Sequence, residues 1–472
     1  MIQITGERSV RTCQGVNRRE FLRIGSLALG GLTLPQLLQS RASEGARRLV
    51  KDKAVVLLFL QGGPSQIETF DPKMTAPAEI RSITGEVQSR LPGVTFGGTF
   101  PKLAAMADRL AIVRSFASGN ADHQNYMTVA GGGNPTRAPM GTLYARIAGP
   151  NHPRTGIPNN VILPPEAVNP GMRLPRNFET DSLNKLINAS ANLGANYSFF
   201  DPSGGGELRQ NLELRLPRNR FTDRRALLSQ LDTFRREADR TGAFENAGIY
   251  EQQAYELLMR GVSQAFDLSR EDPRVVSSYD TAGCFDQAEV NRWGDMRRSS
   301  NLLGKQMLLA RRLVEQGCGF VTVMDAGWDM HSNSNSPRNL GGMYWLGPQV
   351  DHAVAAFLND VEVRGLSEKI LLVVTGEMGR TPRIGREGGR DHWASLTPLL
   401  LAGGGLRMGQ VIGQSDRQAG RPATQRYTPQ HLLGTVMETL LNTGEVRVAS
   451  EFPRDVTNAI GSGGGETIRE LF

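Results

Sequence analysis

Cysteine is scarce in this sequence, with only three in 472 residues, at Cys13, Cys284 and Cys318. No CxxC pair occurs, and no spacing typical of a thiolate metal site. A small scaffold built on disulfides is therefore excluded. Cys284 and Cys318 either pair in an oxidising compartment or remain two buried thiols, and the sequence leaves both alternatives open.

The sequence also lacks an apolar run long enough to cross a membrane. Its longest candidate, residues 24–38, contains three glycines and a proline and falls short of the roughly 20 apolar residues that a spanning helix needs. The twin arginines Arg18 and Arg19 precede this run, and small residues follow it at 42–46. This order predicts a twin-arginine signal peptide over residues 1–46, with the translocation machinery as a partner and the periplasm or cell surface as the destination.

Excess positive charge is modest once that leader is set aside. The formal charge of the whole chain is +7, and residues 1–46 hold six arginines against three glutamates, which leaves about +4. No basic patch with interleaved aromatic residues occurs elsewhere. We therefore expect no nucleic-acid partner.

Strand-length apolar runs recur along the rest of the chain. They are continuous rather than alternating, which is typical of parallel strands covered by helices on both faces. The five runs are residues 54–60, 110–116, 320–326, 370–375 and 396–403. They predict an α/β fold with an open parallel sheet sandwiched by helices, in one domain over residues 47–460.

Three other segments differ in composition from these apolar runs. Residues 207–274 carry apolar residues at helical spacing among dense charges, which predicts a helical insertion, and residues 301–316 predict a helix that leads into the strand at 320. The glycine-rich stretch at 461–466 opens a C-terminal segment, 461–472, that we interpret as a mobile tail or linker.

Three of the six histidines lie in loops that follow predicted strands. His123 follows the second run, Asp329 and His331 follow the third, and Asp391 and His392 follow the fourth. Carboxylates mixed with imidazoles suit zinc, manganese or iron better than calcium. The alternative is structural: Asp329 caps a turn, Asp391 pairs with an arginine, and the histidines donate to the backbone.

The loop after the first strand, Gln61–Gly62–Gly63–Pro64–Ser65, is rich in glycine but fits neither GxGxxG nor the GxxxxGK[ST] pattern of nucleotide folds. It remains a candidate for close backbone approach to an anion. Arg380 and Arg383 are candidates for a clamp on a substrate oxyanion, or for ordinary salt bridges.

The motifs FLQGGPSQIETFDPK, GWDMHSN, GEMGRTP, GGRDHW and LLAGGGLRMGQVIGQSD, with the twin-arginine leader, resemble the exported proteins that carry domain of unknown function 1501. That family is similar to the alkaline phosphatase and sulfatase superfamily. The resemblance implies a parallel α/β sandwich, one or two divalent metals such as zinc or manganese, and a Ser, Thr or modified Cys nucleophile.

The resemblance implies a metal role for His392 and for the Asp329 and His331 pair. It also places Glu377 where the superfamily has a metal-binding Asp. Met378 stands where the superfamily has a His, and Gln61 where its first strand ends in an Asp.

The nucleophile that the resemblance implies falls at a helix N-terminus near Gly119 or Asn120, with Ser118 just beside it and a few residues before His123. Because no cysteine lies there, a modified-cysteine sulfatase mechanism is not expected. We therefore treat Ser118, His123 and Arg380 as candidate catalytic residues.

Two functions fit these residues. The first is an exported metal-dependent hydrolase of phosphate or sulfate esters, on a small-molecule or polysaccharide substrate. The second is a non-catalytic, ligand- or carbohydrate-binding descendant of the same fold.

We predict that the double variant Arg18→Lys, Arg19→Lys stays in the cytoplasm, because the paired guanidinium groups are what the receptor reads. Cell fractionation followed by immunoblotting checks this. Unchanged export of the double variant would remove the proposed location.

Overall fold

The computed structural model contains a seven-stranded sheet built from the apolar runs of the sequence. The strands and helices below belong to the residues that the structure describes, which are 49–123, 134, 136–169, 171–172, 193–203, 262–293, 296, 299–332, 334–335, 337–461 and 466–472. The twin-arginine leader lies outside them.

The strands have the following bounds: β1 Ala54–Gln61, β2 Glu86–Gln88, β3 Thr95–Gly97, β4 Ala111–Val113, β5 Asn160–Leu163, β6 Phe320–Ala326, β7 Ile370–Thr375, β8 Gly379–Arg380, β9 His392–Trp393, β10 Leu399–Gly403 and β11 Gln410–Ile412. The large sheet has the order β11-β4-β10-β7-β1-β6-β5, and β2–β3 and β8–β9 form two-stranded sheets.

The helices have the following bounds: α1 Gln66–Thr69, α2 Pro101–Ala105, α3 Met140–Ala148, α4 Pro273–Ser278, α5 Gln287–Val290, α6 Leu303–Glu315, α7 Met343–Val363, α8 Pro429–Leu440, α9 Thr443–Val448 and α10 Arg454–Gly461. Single turns of 3₁₀ helix lie between several of them. Within the described ranges, no helix combines the length and the hydropathy that crossing a bilayer requires.

The central strand β1 is buried on both faces, as its continuous apolar sequence predicts. Val56, Leu58 and Leu60 belong to a core that includes side chains of α6 and α7. The alternate residues Val55 and Leu57 are buried too, on the side where α8 contacts β1. The predicted α/β fold with helices on both faces is confirmed.

One strand corrects the prediction of an all-parallel sheet. β10 runs antiparallel to both β7 and β4, whereas the remaining strands of the sheet are parallel to one another. The connection from β7 to β10 therefore leaves and re-enters the sheet at the same edge. Residues 376–398 are for this reason placed at the carboxyl edge of the parallel strands.

Other predicted segments have mixed outcomes. The helix predicted at 301–316 is α6, and it packs on β6 and β1 as expected. Most of the predicted insertion at 207–274, residues 207–261, lies outside the described residues. In the predicted tail or linker at 461–472, residues 462–465 also lie outside the described residues. The end of the chain packs on the domain, because Ile468 and Leu471 are buried. Cys284 and Cys318 are free thiols.

A buried ion network ties α6 to its neighbours. The guanidinium of Arg311, which is 1% exposed, lies 2.6 Å from Glu271 and 2.8 Å from Asp360. Arg312 contacts Glu271, and Arg364 contacts both acids. This network joins the segment before α4 to the helices that cover the sheet.

We predict that Arg311→Met lowers the free energy of unfolding by about 3 kcal/mol, because it leaves buried carboxylates without their central cation. The value lies at the low end for a buried pair, since Arg312 and Arg364 still contact the acids. Urea unfolding monitored by circular dichroism measures it. The control is Arg292→Met, whose exposed pair with Glu289 at 3.6 Å contributes about 0–1 kcal/mol. Equal losses in both variants would contradict the prediction.

Candidate metal centre

The site is centred on Asp329, in the loop that leaves β6. Its carboxylate is almost fully buried, and the loop packs directly against the glycine-rich turn after β1. A Cβ at Gly62 would lie 2.5 Å from the amide nitrogen of Asp329, and Gly62 has a φ of +118°. Glycine is therefore required at this position for the two loops to meet.

Three imidazoles surround one oxygen of that carboxylate. The Nε2 atoms of His392, His331 and His123 lie 3.2, 3.3 and 3.5 Å from Asp329 Oδ1. The ring centroids of His331 and His392 are 5.0 Å apart, and those of His123 and His392 are 4.5 Å apart. Three histidines distant in sequence therefore meet at one edge of the sheet.

The other ring nitrogen of each histidine faces an acceptor. His392 Nδ1 is 2.9 Å from the carbonyl of Ala121, and His123 Nδ1 is 3.0 Å from a carboxylate oxygen of Glu377. Since these partners accept only, each Nδ1 carries a hydrogen and donates it. His331 Nδ1 lies 3.5 Å from Asp391. The Nε2 atoms of His392 and His123 face the Asp329 carboxylate, and a cation bound there would take their lone pairs in place of hydrogens.

The spacing of the donors fits a transition-metal ion. One ligand atom from each of His123, Asp329 and His392 lies within 4.8 Å of the others, whereas His331 is outside that group and reaches the centre only through its 3.3 Å contact with Asp329. Donors bound to a tetrahedral zinc ion at about 2.1 Å lie about 3.4 Å apart. The three distances from Asp329 to the imidazoles are close to that value.

Arg380 corrects a prediction, because its guanidinium is not available to clamp a substrate. The side chain is buried and donates to Asp329 Oδ1 (2.6 Å), to the carbonyl of Gly63 (2.7 Å) and to the carbonyl of Arg390 (3.2 Å). It also contacts Gly62 and Trp328. Arg380 holds Asp329 in place, together with a hydrogen bond from Asn335.

The charges of the cluster shift the pKa values of Asp329 and His123. Burial alone would raise the pKa of Asp329, but hydrogen bonds from the three histidines and the charge of Arg380 outweigh it and hold the pKa far below its usual range. Burial would lower the pKa of His123, but Asp329 and Glu377 together raise it to about 9.

The remaining predicted site residues lie around this cluster. Glu377 is buried beside His123, and Asp391 is largely exposed, with its carboxylate near His331. The Ser118 hydroxyl is buried and donates to the carbonyl of Asn120 (3.0 Å). The residues in which a helix was expected after it, 124–133, lie outside the described residues. Arg383 is exposed and lies 3.5 Å from Glu79.

Sequence reasoning missed the buried pair of Glu68 and Arg390. Arg390 Nη2 donates to Glu68 Oε1 at 2.8 Å, and both side chains are fully buried. Because Arg390 lies two positions before His392, this pair anchors the loop that carries the histidine against α1. Both residues lie in motifs of the resemblance, Glu68 in FLQGGPSQIETFDPK and Arg390 in GGRDHW, but no spacing or pattern in the sequence pairs them.

Distant likenesses to solved structures exist. They include the lipoteichoic acid synthase LtaP from Listeria monocytogenes, with a TM-score of 0.35, 9% identity and coverage of 85% of this chain and 77% of that one. The PsFucS1 sulfatase from Pseudoalteromonas sp. has a TM-score of 0.35 and 12% identity, with 92% and 79% covered. The phosphonate monoester hydrolase SpPMH from Silicibacter pomeroyi has a TM-score of 0.36 and 11% identity, with 82% and 73% covered.

Because these TM-scores are low, the likenesses carry no argument about the chemistry of the site. Among curated proteins, none matches the sequence. The family described as "Protein of unknown function (DUF1501)" matches residues 52–468. Because this match covers most of the chain and agrees with the motifs of the sequence, the chain belongs to the DUF1501 family.

Proposed function

We propose that this protein is a metal-dependent hydrolase of phosphate or sulfate esters. The observation that carries the proposal is the convergence of three imidazole Nε2 atoms, at 3.2 to 3.5 Å, on a single oxygen of Asp329. Three nitrogen donors with one carboxylate are a set that zinc prefers, and manganese is the next candidate.

The exposure of the donors indicates a catalytic rather than a closed structural site. The Asp329 side chain is 2% exposed, but those of His331 and His392 are 27% and 28% exposed. The cluster is therefore open to solvent at His331 and His392, where a substrate can approach. An ion bound there would supply Lewis-acid chemistry, polarising an ester oxygen and stabilising the charge of the leaving group.

The protein's own groups have separate tasks in this proposal. The histidines and Asp329 bind the ion, and Arg380 and Asn335 keep the Asp329 carboxylate in position. Since the Ser118 hydroxyl is committed to a backbone carbonyl, the ester is attacked by water, which gives an alcohol and an acid. The leader at residues 1–46 supports export through the twin-arginine machinery, with small-molecule or polysaccharide esters as substrates outside the cytoplasm.

The same observation on Ser118 favours a second candidate, in which the site binds a ligand through its metal without turning it over. A buried hydroxyl that already has an acceptor is not presented as a nucleophile. The two candidates differ in one measurable property, which is hydrolysis by the metal-loaded protein.

We predict that the zinc-loaded protein hydrolyses p-nitrophenyl phosphate or p-nitrophenyl sulfate. We also predict that His392→Ala loses most of its zinc and lowers the rate by about two orders of magnitude or more, because it removes a ligand. The variant should still fold, since the histidine lies outside the core. Metal analysis and release of p-nitrophenol measure the two effects.

The control is His352→Ala, a histidine whose ring contacts Lys102 and the Ser278 carbonyl rather than the cluster. It should keep both zinc and activity. Stoichiometric zinc without hydrolysis of either ester would support the binding function, whereas absence of zinc from the unaltered protein would end the proposal.

We predict that zinc affinity rises with pH. In the metal-free protein His123 has a pKa of about 9, so below that pH its imidazole holds a proton that the ion must displace. The affinity should increase by at least about tenfold per pH unit between about pH 6 and about pH 8. Calorimetric titration in buffers of different ionisation enthalpy counts the released protons. A constant affinity over that range would contradict this account.

A further inference from the structure

Glu377 is the most deeply buried acid next to the centre. It follows β7 by two residues, and its side chain has no exposed surface. Its Oε1 accepts hydrogen bonds from the amide of Gly62 (2.8 Å) and from His123 Nδ1 (3.0 Å). Its Oε2 is buried and has no hydrogen-bond partner among the residues that the structure describes.

These contacts indicate which nitrogen of His123 keeps its hydrogen when an ion binds. A carboxylate only accepts, so the contact of Glu377 with Nδ1 requires an Nδ1–H group. Nε2 faces the second carboxylate, Asp329, 3.5 Å away, and is the nitrogen that would give up its hydrogen to an ion. The Gly62 amide fixes the carboxylate in turn, so that Glu377 acts on the centre through His123.

Among the described residues, the surroundings of Glu377 do not provide the ligands of a second ion. The cluster of described residues able to hold an ion is His123, Asp329 and His392, and Glu377 is outside it. The next residue, Met378, is a buried thioether that packs on Gly63. Gln61, which precedes Gly62 at the end of β1, has a neutral amide. A single free carboxylate oxygen between these groups is a poor site for a divalent cation.

We propose that Glu377 is a positioning residue that locks the tautomer of His123, and that the centre holds one ion rather than two. This inference rests on the metal centre of the proposed function. The negative charge of Glu377 also strengthens His123 as a donor, as carboxylates behind metal-bound histidines commonly do.

Replacing Glu377 by glutamine removes the charge but keeps the hydrogen-bond acceptor, so the two contributions can be measured separately. In Glu377→Gln the amide oxygen can still accept from Gly62 and from His123, and the shape of the side chain is kept. In Glu377→Ala both contacts are lost. The control is Glu438→Gln, a half-exposed acid that pairs with Lys51 far from the centre.

The experiment uses the full chain and zinc alone as the probe. We expect one zinc per unaltered chain by mass spectrometry of the metal. We expect an affinity about tenfold weaker for Glu377→Gln and about 10- to 100-fold weaker for Glu377→Ala, with Glu438→Gln unchanged. In the metal-free protein above the His123 pKa of about 9, where the ring is neutral, ¹⁵N spectra should show the Nδ1–H tautomer in the unaltered chain and in Glu377→Gln, and a mixture in Glu377→Ala.

Two zinc ions per unaltered chain, falling to one in Glu377→Gln, would overturn the inference and make Glu377 a ligand. Unchanged zinc affinity and an unchanged tautomer in both variants would also overturn it, while leaving the proposed function intact. If the unaltered chain binds no zinc, the proposed function and the one-ion centre fail together. The tautomer of the metal-free protein then still decides whether Glu377 positions His123.

Discussion

The arrangement of the site depends on one buried carboxylate, that of Asp329. A carboxylate so deeply buried is stable only if cations and donors replace its lost water. Arg380 supplies the fixed cation, and the same guanidinium binds backbone carbonyls of Gly63 and Arg390. Three loops that follow three different strands are thereby held together by a single side chain. The histidines contact the same carboxylate from the part of the cluster that reaches solvent.

The antiparallel strand β10 makes this convergence possible. In an all-parallel sheet the chain that leaves β7 would cross to the far edge before its next strand. Here it returns along the same edge, and the β8–β9 hairpin places His392 beside the loop that carries Asp329. The ion pair between Arg390 and Glu68 then attaches this hairpin to α1. At Gly389 a Cβ would lie 2.5 Å from the Cα of His331, so the hairpin and the histidine loop pack without space between them.

The two sides of the centre differ in their charged groups more than in their apolar packing. Arg380, Arg390 and Glu68 are fully buried and have defined partners, so they form a rigid base. The ligand side is partly exposed and consists of imidazoles, whose protonation and metal binding compete. Because these buried charged residues are fixed, the donor atoms of the imidazoles stay in place whether they carry a proton or bind an ion. Such preorganisation lowers the cost of binding a cation.

The sequence alone determined the α/β class and most of the strands, because continuous apolar runs such as 54–60 and 370–375 have few alternatives to a buried strand. It also indicated that Asp329, His331 and His392 carry the chemistry, since these residue types recur just after strands. The direction of β10, the short strands β5 and β11, and the partners of Arg380, Glu377 and Arg390 were decided only by the tertiary structure. Hydrogen-bond partners more than 300 positions apart, such as Glu68 and Arg390, leave no periodicity or spacing in the sequence, because only the fold brings them into contact.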